Sequence, residues 1–106
     1  MASKLIIYSR AKKEVARLNQ YIALVDEYTS NTLEQWIIKE YAITNSLVEV
    51  ARRANENGFK TNGGVEIDRD YVVCVIDSKP RSGDELHRLV RSGYRAKSRA
   101  IKNRYL

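Results

Sequence analysis

The stretch Ser46–Ile76, "SLVEVARRANENGFKTNGGVEIDRDYVVCVI", decides the fold. Its first half reads as an amphipathic helix. Ser46 with Glu49 three residues on has the form of a capping box, Leu47, Val50, Ala51 and Ala54 share one face, and Arg52 and Arg53 point largely outward. Gly58 stands where a helix end needs a residue tolerant of the left-handed conformation. After the Gly63-Gly64 pair, "VEIDRDYVVCVID" reads in two ways. Alternation of Val65, Ile67, Tyr71, Val73 and Val75, with many β-branched residues, argues for a hairpin. Helical spacing instead gathers Tyr71, Val72, Val75 and Ile76, with Asp68 as N-cap and Asp70 in the first turn. Periodicity alone leaves both readings open.

Outward from this stretch the helix signals are clearer. Ala11, Val15, Leu18, Ile22 and Val25 recur at spacings of four and three, one apolar stripe on a helix from about Ser9, or even Ser3, to Tyr28. So narrow a stripe serves either as a core face or as a dimer seam. "TSNT" ends it, and Thr32 with Gln35 opens a helix bearing Leu33, Trp36, Ile37 and Tyr41. Ser82 with Glu85 opens a last helix with Leu86, Leu89, Val90 and Tyr94 inward; from Ala96 to Leu106 the apolar face thins, and this end is expected to fray. The expected fold is mainly α, a small helical bundle with a helix-turn-helix unit. Its alternative is a winged helix with a hairpin at about 64–77.

Residues 1–106 fit one domain, long enough for a core without a metal or disulfide staple. No apolar run approaches a membrane span, and the short N-terminal apolar patch is no signal-peptide core, so no membrane association is expected. The single Cys74, in an apolar context, suits a packing role in an intracellular, cytoplasmic protein, nucleoid-associated if it binds DNA. His87, the only histidine, is expected on a helix surface. One histidine and one cysteine do not make a Cys/His metal site. Nothing in the pattern points to a catalytic residue, a cofactor or a small-molecule ligand, so a non-enzyme is expected. The net charge of +6 is unevenly spread: residues 81–106 carry eight Lys/Arg against two Asp/Glu, whereas the rest of the chain is balanced. A basic segment of that density attracts polyanions, nucleic acid foremost. Tyr94 and Tyr105 lie within it, as stacking rings for bases or as cover for a helical core.

The order of caps and apolar positions in residues 44–76 resembles the DNA-binding recombinase domain of large serine recombinases. Ala51, Arg52, Asn55, Glu56, Gly58, Thr61, Gly63, Val72, Val75 and Ile76 fall on that family's spacing. Ile67 stands where the family usually has Trp, Ala54 where it has Leu, and nothing matches its catalytic domain. The resemblance implies a helix-turn-helix-like unit and favours a second helix, about Arg69 to Ser78, over the hairpin.

In that frame the Ser46–Asn57 helix crosses the duplex backbone. The next helix presents Arg69 to guanine in the major groove, and Lys60, Thr61 and Asn62 grip phosphates from the turn. A competing frame takes "AITN" as the turn and Ser46–Asn57 as the reading helix, with Asn45, Ser46 and Glu49 at the bases. In both, Arg52 and Arg53 join the central surface, and Arg88, Arg91, Arg95, Lys97, Arg99, Lys102 and Arg104 form the electrostatic footprint. The expectation is sequence-specific binding of double-stranded DNA by a regulator or accessory factor, its lone compact module suiting a phage or plasmid gene. A homodimer through the N-terminal helix is a secondary expectation, since one small reader gives little contact area. The alternative is a protein-binding adaptor or inhibitor acting on a larger complex.

Overall fold

The structure, a computed structural model, describes residues 7–104 and the side chains of 7–102. The expectations placed on Ser3, Tyr105 and the Arg104 side chain lie outside that part. Five helices follow in order among the described residues: α1 (Tyr8–Glu27), α2 (Leu33–Thr44), α3 (Leu47–Glu56), α4 (Arg69–Asp77) and α5 (Glu85–Arg104). Helices α2 to α5 enclose the core, in which Ile37, Val50, Ile67, Val72, Ile76 and Leu86 are almost wholly buried. The protein is a small helical bundle. None of the described helices is long and apolar enough to cross a membrane.

The ambiguous segment is a helix from Arg69, so the winged-helix alternative is not what forms. The Asp68 carboxylate caps α4 by accepting the Tyr71 N–H at 2.8 Å. Val72, Val75 and Ile76 are then buried together, the three-and-four spacing of a helix. The alternating residues do not share a face: Val65 is 63% exposed while Ile67 is 1% exposed. All that remains of a hairpin among the described residues is an isolated antiparallel bridge between Lys60 and Glu66. The loop it closes is tightened by Thr61, whose N–H donates to Val65 O and whose hydroxyl accepts the Val65 N–H. Gly64 takes φ +75° at its tip, a value that disfavours any side chain.

Asn55 fixes this loop to α3. Its Nδ2 donates to Ile67 O at 2.8 Å, and Ile67 N donates to its Oδ1 at 2.9 Å, so one side-chain amide acts as a single-residue strand partner. Phe59 anchors the near end, its ring 4.9 Å from that of Trp36. Ile67, at the position where the resemblance has an aromatic residue, closes the core just before the α4 cap.

The caps follow the sequence in part. Thr32 and Gln35 form the full reciprocal box. Ser46 accepts the Glu49 N–H at 3.2 Å, but the Glu49 carboxylate turns to Arg52 and Arg53, and the Ser46 N–H goes to Thr44 Oγ1. Two guanidiniums outcompete one neutral amide for that carboxylate. Asp84, not Ser82, caps α5: its Oδ1 accepts the His87 N–H at 3.0 Å while its Oδ2 accepts the Tyr28 hydroxyl at 2.8 Å. A carboxylate already fixed by a phenol is the better-placed acceptor.

Other expectations change through packing. His87 is buried, 5% exposed, because its Nε2 lies 3.0 Å from Ile76 O, a last-turn carbonyl of α4 without an intrahelical partner. Cys74 is exposed, because helical geometry sends it to the side of α4 opposite Val72 and Ile76. Helix α5 runs unbroken to Arg104, well beyond the thinning of its apolar face. The α1 stripe is not a core face. Helix α1 docks through Tyr21, Leu24, Val25 and Tyr28, an adjacent face, and leaves Val15, Leu18 and Ile22 about half exposed.

Candidate nucleic-acid interface

Helical spacing puts Arg88, Arg91, Arg95, Arg99 and Lys102 on one face of α5, at intervals of three, four, four and three. All are exposed except Arg91, which is half-buried. The four arginines line one shallow depression along the helix. At 1.5 Å per residue the row is about 21 Å long. It is braced from α4 by Asp77, whose backbone oxygen accepts from Arg91 Nε at 3.1 Å and whose carboxylate accepts from Arg95 Nε at 2.6 Å. The Arg95 guanidinium, through this bond and its charge, holds the Asp77 carboxyl below the usual carboxylate range.

The other end of α4 meets the other end of α5. Arg69, at the first position of α4, shares a groove of about 260 Å³ with Lys97, Ser98 and Ile101. Helices α4 and α5 are therefore antiparallel neighbours, with Arg69 and Asp77 marking the two ends of the contact. Arg69 is well exposed, and its nearest carboxylate, Asp70, is 4.0 Å away. Lys97 reaches toward Asn45 O at 3.4 Å, across the turn between α2 and α3.

The arginines of α3 are engaged differently. Arg52 pairs with both Glu49 and Glu56. Arg53 bonds Glu49 through Nε and Glu40 through Nη1, each at 3.0 Å. Hydrogen bonds from Arg52 and Arg53 pull the Glu49 carboxyl down to about 2. With three carboxylates for two guanidiniums, the outer face of α3 is not a basic surface. In the turn, Lys60 and Asn62 are exposed, but the Thr61 hydroxyl is committed to closing the loop.

The expected site residues thus separate into groups. Arg88, Arg91, Arg95, Arg99 and Lys102 form a row, while Arg69 and Lys97 line a separate groove, with Lys97 on the side of α5 away from the row. Lys60, Thr61 and Asn62 belong to the turn, while Arg52 and Arg53 lie in a carboxylate network. Tyr94 serves the core, its ring centre 6.5 Å from that of Tyr41 in an edge-to-face arrangement. Sequence reasoning missed Asp77 as the brace of the row, a role set entirely by tertiary contact. It also missed the Asn55 clamp, although Asn55 belongs to the motif on which the resemblance rests. A dense row of guanidiniums on one rigid helix can hold a polyanion with regularly spaced charges. No protein-family profile matches the chain, and no curated protein or solved structure is significantly similar to it.

Proposed function

We propose that the protein binds double-stranded DNA as a regulator or accessory factor, with the basic face of α5 as its electrostatic footprint. The observation that carries this reading is the row Arg88, Arg91, Arg95, Arg99 and Lys102, opposed only by Asp77 among its described contacts. Between the two frames, the charge on the helices favours α4 as the reader. Helix α3 presents a neutralised surface, whereas Arg69 is exposed at the first turn of α4 beside Lys97. Arg69 matches guanine O6 and N7, and the neighbouring Asp70 matches a cytosine amino group, so the pair is suited to one G·C step.

Titration against duplex DNA over a range of salt tests this. Five phosphate contacts give a slope of log affinity against log salt of about −4.5. Arg95→Glu with Arg99→Glu should abolish binding at moderate salt. In a selection from random duplexes, Arg69→Ala should lose sequence preference while Arg53→Ala keeps it. Absence of binding to any duplex at low salt refutes the proposal, and stronger binding to single strands than to duplex redirects it to another nucleic acid.

A further inference from the structure

We propose that the exposed face of α1 is the seam of an antiparallel homodimer. The inference stands apart from DNA binding, because it uses a different helix and is tested without nucleic acid. Tyr8, Ala11, Val15, Leu18, Ile22 and Val25 follow a strict alternation of three and four, the a and d positions of a heptad pattern. The protein's own core takes Val25 alone. Tyr8 is 76% exposed, Val15 58%, Leu18 46% and Ile22 54%, with Ala11 half-buried. These side chains form one continuous apolar strip beside the face that docks onto α2.

Charge along α1 selects the occupant. Residues 8–17 carry four Lys/Arg against one Glu, and residues 18–27 carry Asp26 and Glu27 with no cation. Parallel pairing would lay the basic half along its own copy. Antiparallel pairing lays it along the acidic half, so the helix is complementary to itself under a two-fold axis. The register with the longest overlap sets Val15 against Leu18 of the second copy and the small Ala11 against the large Ile22. In the same register Lys12 and Asp26 of the second copy flank the seam on one side, offset by about 7.5 Å along the axis but leaning toward each other, twice by symmetry. Both are exposed, and neither has an ion pair among the described residues; Lys12 Nζ rests only 5.1 Å from the centre of the Tyr8 ring. Two heptads cover less than the roughly 800 Å² per partner of a standard stable interface, so the dimer is concentration-dependent.

Sedimentation equilibrium of the full chain at low salt, without DNA, tests this. The wild type should show a monomer–dimer equilibrium, and Leu18→Glu should raise its dissociation constant by about 100-fold or more. Because Leu18 is exposed in the monomer, the circular dichroism spectrum of that variant should not change. Lys12→Glu or Asp26→Lys alone should weaken the dimer by roughly fivefold, and the two together should restore it. Orientation is read from Tyr8→Cys in a Cys74→Ser background. Antiparallel copies hold the two introduced thiols about 25 Å apart, so no disulfide forms between them. A chain that stays monomeric at the highest concentration, or a dimer indifferent to Leu18→Glu, overturns the proposal. Ready disulfide cross-linking of the Tyr8→Cys variant, or failure of the double charge exchange to restore the dimer, overturns the antiparallel arrangement.

Discussion

Asn55→Ala tests whether one side-chain amide holds the α3–α4 connection. The amide makes two hydrogen bonds to the backbone of Ile67, at 2.8 and 2.9 Å. Each is worth about 1 kcal/mol net, and leaving a buried partner unsatisfied costs about 1–3 kcal/mol. Ile67 is 1% exposed, so water cannot freely replace the lost partners. Asn55 itself lies at the surface, which places the expected loss near the lower end, about 2–3 kcal/mol. With a urea slope of about 1–2 kcal/mol/M, the midpoint should fall by roughly 1–3 M at unchanged slope. Asn55→Asp should also destabilise, since a carboxylate keeps the bond from Ile67 N but repels Ile67 O. Asn57→Ala removes only one exposed bond, to Arg53 O, and serves as the control. A shift for Asn55→Ala no larger than that of Asn57→Ala would refute the clamp. Since Ile67 immediately precedes the α4 cap, the same variant should blunt any duplex preference that depends on Arg69.

Asp77→Asn removes the carboxylate opposing the α5 row, so affinity for duplex DNA should rise about threefold or more and the salt slope should steepen by up to about 1; an unchanged slope in the same titration counts against the row as the footprint. Glu49 titrates well below its ordinary value, at about 2, so its contribution to stability is complete above the ordinary carboxylate range and lost as pH falls toward 2. Thermal unfolding of Glu49→Gln should therefore fall below wild type at pH 6, with the gap narrowing as pH falls through 2; a gap that does not narrow contradicts the pairing with Arg52 and Arg53. Leu86→Ala empties a fully buried site where α5 meets the core and should cost about 2–5 kcal/mol in denaturant unfolding. Thr32→Ala breaks the complete capping box of α2 and should cost about 1 kcal/mol by the same measurement.

Where local chemistry decided the structure, it was legible in the residues. Asp68 and Thr32 cap the helices expected of them, and Val50, Ala51 and Ala54 face inward as their spacing implies. The strand reading of 64–77 failed because alternation of apolar residues carries no information about which of them reach the core. Ile67 does so through the Asn55 clamp, while Val65 stays in solvent. Ser82 lost the α5 cap to Asp84 because Tyr28, 56 residues earlier, holds that carboxylate in place. The basic segment of the candidate interface was visible in composition alone. Its division into a row on α5 and a neutralised patch on α3 was not, since Glu40 comes to Arg53 from a different helix and Asp77 comes to Arg95 from the neighbouring α4.

The contact between Trp36 and Phe59 gives the molecule a built-in optical probe. Trp36 is the only tryptophan, and its half-buried indole abuts the first ring of the loop that leads to α4. Any event that lifts this loop from α2 exposes the indole to water and shifts its emission to the red. Loop detachment can thus be timed in a stopped-flow instrument on the unlabelled chain and separated from global unfolding, which circular dichroism reports. Lifting the loop without melting the helices gives a fluorescence change with no matching loss of ellipticity.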